Sequence, residues 1–303
     1  MQAIKEKAIA DVNIMKAPNG KPTNLNERQW LQVRTKAFKE WFGDWENNPS
    51  EASKVIDENG EPLVVYHSSP EYNITVFRNT DSIIFTQYPN ETIEEAINRY
   101  KELGYEISSE QIDNIRKHNY DIFENPIILT KPNGIYAASN RKVSETYITR
   151  ESYEEGLYLD GEIYPVFLNI RDNNIIEGNN SNWNEIQYKG KIVSTRKLES
   201  EFRGIKDGVI IKNIFDFGSP IMDTHETNLS DIFIVYNPNQ IKSATDNNGE
   251  FSTTNDDIRY SSTEELTLTT ASSFLDAQSQ LPIELRSNFA SLVDSAVIRS
   301  QCK

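Results

Sequence analysis

Five short runs of β-branched and aromatic residues constrain the fold most: Leu63–Tyr66, Ile127–Thr130, Tyr164–Ile170, Gly208–Lys212 and Ile232–Tyr236. Segments this short and this rich in Val, Ile, Phe and Tyr read as half-buried strands. Helical patterns lie between and before them. Asn26 is placed to cap a helix, with Gln29 three residues on as a partial capping box. Trp30, Val33, Ala37, Phe38, Trp41, Phe42 and Trp45 then recur at three- and four-residue steps, an amphipathic helix with an aromatic face that Gly43 ends. That face docks on the next domain or binds a partner. Residues 90–117 read as a charged helical stretch with Ile93, Ala96, Ile97, Tyr100 and Leu103 on one side, and a further helix runs from about Asn140 through Tyr147. Mixed short strands and helices make the chain α+β.

Punctuation and composition divide it further. Residues 1–23 are polar and end in a Pro/Gly turn. The aromatic helix and its connector occupy 24–59, a strand-bearing domain 60–260, and a Ser/Thr/Leu-rich appendage 261–303, helical near 271–279 and 282–299. Asn179–Asn184 and Asn237–Ser252 read as loops. The net charge of −15 is unsuited to nucleic acid, because neutralising phosphates needs Lys/Arg surfaces, and to anionic membranes. No stretch is long and apolar enough to span a bilayer, and the single cysteine, Cys302, permits no internal disulfide. A soluble, cytoplasmic chain is the expectation.

The sequence lacks a Gly-rich phosphate loop, a nucleophile elbow and any Cys/His pair at metal spacing. What remains is His67, which ends an apolar strand beside Ser68 and Ser69, and the segment GIYAASNRKVSETY from Gly134 to Tyr147. A strand-end histidine can present a donor and an acceptor to a cleft; by itself it also reads as an ordinary hydrogen-bonded side chain. Ser144 and Tyr147 are three apart, on one helix face. With Tyr136 they could hold a flat, amide-bearing ring between aromatic faces, or simply form core.

Taken together these pieces resemble the ADP-ribosyltransferase superfamily of the diphtheria-toxin and poly-ADP-ribose-polymerase type. There a strand-end His-Gly precedes a Gly-Ile-Tyr-Phe segment and a helix with Ser and Tyr eight and eleven residues after the first Tyr. Tyr136, Ser144 and Tyr147 keep those offsets. A closer resemblance is to the ADP-ribosyltransferase domains of phage and mobile-element polyvalent proteins. It rests on LNERQW (Leu25–Trp30), FKEWFGDW (Phe38–Trp45), LVVYH (Leu63–His67), YPVFLN (Tyr164–Asn169), DGVIIKN (Asp207–Asn213), NPNQIKSA (Asn237–Ala244) and the stretch from Asp246 to Tyr260. It covers about 24–260.

The resemblance implies a catalytic domain over 60–260 of split antiparallel β-sheets around an NAD cleft, with the N-terminal aromatic helix, a helical insertion at 78–133 and a helical C-terminal tail added. It implies NAD as co-substrate and no metal. His67 would hydrogen-bond a ribose hydroxyl and orient the adenosine side, the Ser68 backbone would grip the nicotinamide amide, Tyr136 and Tyr147 would stack on nicotinamide, and Ser144 would hold its carboxamide. Two departures stand out. Ser68-Ser69 replace Gly-Thr, and Ala137-Ala138 replace Phe-Thr. A third concerns the family's catalytic Glu, whose place falls on Ile232; Asp231, one residue off, and Gln240 are the polar candidates for steadying the developing positive charge. The implied function is mono-ADP-ribosylation of a host protein in the bacterial cytosol by a phage or mobile-element effector. A degenerate module that binds NAD or a partner without transfer, and a structural component sharing only the fold, are the alternatives.

Overall fold

The computed structural model describes residues 15–152, 156–218, 229–247, 249 and 251–259. The expected tail helices at 271–279 and 282–299, His225 and Cys302 lie outside them. The chain divides into two compact units, Phe77–Ile135 and the remainder.

In the larger unit the aromatic stretch makes two helices, not one: α1 (Glu27–Gln32) and α2 (Lys36–Phe42). Thr35 causes the break. Its hydroxyl donates to the Gln32 carbonyl at 2.8 Å and accepts from Phe38 N at 3.2 Å, closing one helix and capping the next. Phe38, Trp41 and Phe42 are fully buried against Phe167 and Phe251, with Trp30 and Trp45 in the same cluster. The face is thus a docking face within the chain, and the partner-binding alternative for it falls. Polar ends are tied down too: Trp41 Nε1 donates to Asn239 O at 2.9 Å, Gln32 Nε2 to Asn247 O at 3.1 Å, and Arg34 pairs with the buried Glu61 at 2.7 Å.

The strands are β1 (Val65–Ser69), β2 (Thr80–Ile84), β3 (Ile128–Pro132), β4 (Ile135–Ala138), β5 (Thr149–Ser152), β6 (Gly156–Leu159), β7 (Glu162–Leu168), β8 (Asn173–Asn182), β9 (Ile186–Tyr188), β10 (Lys191–Val193), β11 (Gly208–Phe215), β12 (Leu229–Val235) and β13 (Ile241–Ser243). Seven of them form one sheet in the order β13-β7-β1-β4-β12-β11-β8; β2-β3, β5-β6 and β9-β10 are two-stranded. Two separate antiparallel sheets are therefore not what forms. A single sheet spans both halves, and β8 joins β11 in parallel. The halves meet at β1 and β4, which share one register pair, Tyr66 with Ala138. β1 itself pairs with β7 along its whole length, Val65 with Val166 through Ser69 with Glu162.

On one face, Ile176, Val209, Ile211, Ile232, Ile234 and Tyr236 pack with Tyr136, Ala138 and Val143 against helix α6 (Thr195–Phe202). Helix α5 (Arg141–Ile148) follows β4 directly, capped by Asn140, whose side chain accepts from Lys142 N. The smaller unit contains α3 (Ile93–Glu102) and α4 (Ser109–Arg116), each opened by a capping box. Gly104, at φ 83°, turns the chain between them, so the expected continuous stretch over 90–117 is interrupted. Phe85, Ala96, Ile97, Tyr100, Ile115 and Leu129 form that unit's own core.

Truncating Trp41 to Ala should cost about 3–5 kcal/mol, because a fully buried indole cannot be replaced by local collapse. Urea unfolding checks this through a lower midpoint at constant slope. A second expectation concerns Lys242 on β13, which is fully buried and donates to the Asn255 and Asp257 carbonyls at 2.6 and 3.0 Å. Burial pushes its ammonium down to about 8 from 10.5, against the pull of Asp257 and Asp256. Between those two values the unfolded chain binds more protons than the folded one, so stability should rise as pH climbs from about 8 to 10.5. Melts of wild type and Lys242→Met across that window should converge towards high pH.

Candidate active site

The site is built at the junction of β1 and β4. His67 Nδ1 lies 2.6 Å from the Tyr136 carbonyl oxygen. A carbonyl only accepts, so Nδ1 carries the proton and Nε2 is the unprotonated nitrogen. Burial lowers the imidazole's pKa, outweighing the carbonyl contact that raises it, and the ring is neutral near pH 7. Ser68 stands in regular extended backbone opposite Ile163, half-buried. No left-handed conformation is needed there, so a side chain in place of glycine brings no backbone strain.

Ser144, one turn into α5, is buried and donates to the Tyr66 carbonyl at 2.7 Å. In this arrangement its hydroxyl ties α5 to β1 and offers a further ligand only an acceptor. Tyr147 follows on the same helix. The residue is 45% exposed, while its hydroxyl donates to Asp216 Oδ1 at 2.7 Å. Tyr136, on β4, donates to Glu199 Oε2 on α6 at 2.8 Å. Burial raises both phenols above the ordinary tyrosine value; the charge of Asp216 pushes in the same direction and that of Arg196 opposes it. Both tyrosines thus sit in the field of the same two groups. His67 thus bonds the main chain of Tyr136, and Ser144 bonds the main chain of Tyr66, the residue before His67.

The two polar candidates for the third position do not join them. Ile232, Ile234 and Tyr236 face the Tyr136 side of the sheet, so Asp231 alternates to the opposite face. There its carboxylate pairs with Lys212 Nζ at 2.7 Å and accepts from Asn213 N at 3.0 Å. Gln240 is buried with its amide fully engaged: Oε1 accepts from Tyr236 N and Asn237 N at 3.1 and 2.9 Å, and Nε2 donates to Asn169 O and Asp207 O at 2.9 and 2.7 Å. Four bonds exhaust a primary amide. Asp231 and Gln240 are a face pair and a loop staple.

Carboxylates reach the tyrosines from elsewhere. Glu199 lies on the buried face of α6 with Thr195, Leu198 and Phe202. A carboxylate on an apolar face needs partners; Glu199 has Arg203, one turn on, and the Tyr136 hydroxyl. Arg203 in turn stacks 4.9 Å from the Tyr236 ring, whose hydroxyl donates to the Glu199 carbonyl. Asp216, just past β11, is buried; desolvation raises its pKa, partly offset by hydrogen bonds from Tyr147 and the Phe217 amide. The next turn is clamped to α5, since Gly218 N donates to Thr146 Oγ1 at 2.8 Å and a Cβ on Gly218 would stand 2.4 Å from Tyr147 Cα. Among the described residues no three His, Cys, Asp or Glu side chains gather as a metal site requires, and no helix is long and apolar enough to cross a membrane.

His67 lies in the middle of β1 and not at a strand end as the sequence suggested, because the ladder with β7 continues through Ser69. A mixed α+β fold on a mostly antiparallel sheet, with this histidine, a tyrosine on the neighbouring strand and a Ser/Tyr helix after it, is consistent with an ADP-ribosyl-transferring class of protein. Residues 114–251 match the family model described as ADP-ribosyltransferase in polyvalent proteins. The matched segment contains Tyr136, Ser144, Tyr147, Glu199 and Asp216; His67 precedes it. No curated protein and no solved structure matches the chain.

His67 provides the check on this geometry. Its NMR titration should show the Nδ1–H tautomer at pH 7 and protonation only below the ordinary histidine value of 6.5. Because the unfolded chain takes up that proton at higher pH than the folded one, stability should fall as pH drops through this range. A titration midpoint at or above 6.5 would contradict the burial of the ring, and an Nε2–H tautomer would contradict the assigned hydrogen bond.

Proposed function

We propose that this domain is an NAD-dependent mono-ADP-ribosyltransferase that modifies a protein of a bacterial host as part of a phage or mobile element. The observation that carries the reading is the convergence of His67, Tyr136, Ser144 and Tyr147 on one junction, within and beside a segment that matches the family. His67 Nε2 accepts from a hydroxyl of the nicotinamide ribose. The open face of Tyr147 receives the nicotinamide ring, with Tyr136 beside it, and Ser144 Oγ and the Ser68 main chain hold the carboxamide. Nicotinamide supplies its own leaving ability, so no metal is required.

Glu199 provides the negative charge that stabilises the ribose as it becomes oxocarbenium-like. Paired with Arg203 and held by the Tyr136 hydroxyl, it is a preorganised group on the Tyr136 side of the sheet. Asp216 serves differently: buried, with a raised pKa, it fixes the Tyr147 hydroxyl and hence the ring plane.

One observation favours a second reading, an NAD-binding module without transfer. Ile232 is apolar and buried at the place where the family's Glu is expected. Paired substitutions separate the two. On the transferase reading Glu199→Gln lowers the rate of nicotinamide release by roughly 10²–10³-fold while NAD affinity changes little, because the charge matters most in the transition state. Asp231→Asn leaves the rate unchanged. Wild-type protein that binds NAD by calorimetry but releases no nicotinamide would establish the second reading instead.

A further inference from the structure

The strand pair β5-β6 has no counterpart among the proposed catalytic groups. It is rooted at the site: β5 begins two residues after Tyr147, and Asp160 N donates to the Ile148 carbonyl at 2.7 Å. Gly161, at φ 145°, lies so close to β1 that a Cβ would stand 2.3 Å from the Ser69 carbonyl oxygen. The hairpin is thus fixed between the end of α5 and the end of β1, the two elements that hold Tyr147 and His67.

Beyond that root it is not part of the seven-stranded sheet. Leu157, Tyr158 and Leu159 are consecutive and 51, 38 and 51% exposed. In the register Thr149 with Leu159, Arg150 with Tyr158 and Glu151 with Leu157, the two leucines share a face with Glu151, and Tyr158 shares the other with Arg150. Two adjoining leucines on an isolated two-stranded ribbon gain nothing from exposure, and a hairpin of this kind is marginal unless something covers it. From Thr149 to Glu162 the sequence has one arginine against five acidic residues. A covering surface that complements it is apolar at its centre and cationic at its rim.

We infer that the β5-β6 hairpin is the docking element for the macromolecular acceptor, a protein presenting an apolar strip bordered by Lys and Arg. This inference rests on the transferase reading above. In the step it serves, the ribose C1′–N bond to nicotinamide breaks and nicotinamide leaves with the bonding pair. A bond forms from C1′ to the acceptor's nucleophilic atom, and the acceptor's proton passes to the Glu199 carboxylate. Water can replace the acceptor without touching the hairpin, which makes docking and chemistry separable.

The test compares nicotinamide release with label transfer to protein, using labelled NAD and bacterial lysate. Leu157→Ser/Leu159→Ser should release nicotinamide without lysate at the wild-type rate but lose roughly tenfold or more of protein labelling. Glu151→Lys, on the same face, should lower labelling by a smaller factor and make the residual transfer less sensitive to salt. Both sites are exposed, so a folded variant is expected, and unchanged nicotinamide release verifies it. Labelling at the wild-type level in both variants would overturn the docking inference and leave the transferase reading standing. A wild-type chain that releases no nicotinamide would remove the transferase reading, and the docking inference with it.

Discussion

The arrangement depends on how β1 and β4 are held together. Two neighbouring strands normally share a ladder of main-chain hydrogen bonds; these two share one register pair, Tyr66 with Ala138. Side chains complete the seam. His67 donates across it to the Tyr136 carbonyl, and Ser144 reaches back from α5 to the Tyr66 carbonyl. Each bond is a modest stabiliser, net about 1 kcal/mol. Their effect is mainly geometric. The seam sets the imidazole tautomer, the entry of α5 and therefore the position of Tyr147. The residues proposed to bind NAD are the same ones that join the two halves of the sheet, which gives each of them a structural role as well.

Around the seam, packing is heavy on one side. Helix α2 buries Phe38, Trp41 and Phe42, with Trp30 of α1 in the same cluster, against Phe167 of β7, which in turn pairs with β1. That support fixes β1 from behind. On the other half, α6 covers Ile232 and Ile234 and brings Glu199 to Tyr136. The two carboxylates at the tyrosines have partners: Glu199 with Arg203, and Asp216 with Tyr147. Both acids thereby meet the requirement that buried carboxylates be hydrogen-bonded or paired.

Much of this was legible in the sequence, for identifiable reasons. Strands β7, β11 and β12 announce themselves through β-branched and aromatic residues, and α5 through Asn140 and the three-residue step from Ser144 to Tyr147. The aromatic period over Trp30–Trp45 correctly marked a buried face, although Thr35 breaks the helix. β8 was not legible, because its Asn/Gly-rich sequence resembles a loop; Asn179 and Asn180 adopt positive φ within it. Asp231 failed by parity: one step along a strand reverses the face. Glu199 and Asp216 bear no fixed spacing to Tyr136, and only tertiary folding brings them to it. The one available signal was an acid placed immediately after an apolar strand, Asp216 behind Ile214-Phe215, followed by Phe217-Gly218.

The central claim is that the β1–β4 seam and α5 together bind nicotinamide, and a crystal structure of the chain with nicotinamide tests it most directly. The account predicts the ring against the exposed face of Tyr147, its carboxamide within about 2.6–3.2 Å of Ser144 Oγ or the Ser68 main chain, and His67 still bonded to the Tyr136 carbonyl. Nicotinamide bound away from β1 and α5, or no bound nicotinamide at saturating concentration, would contradict it.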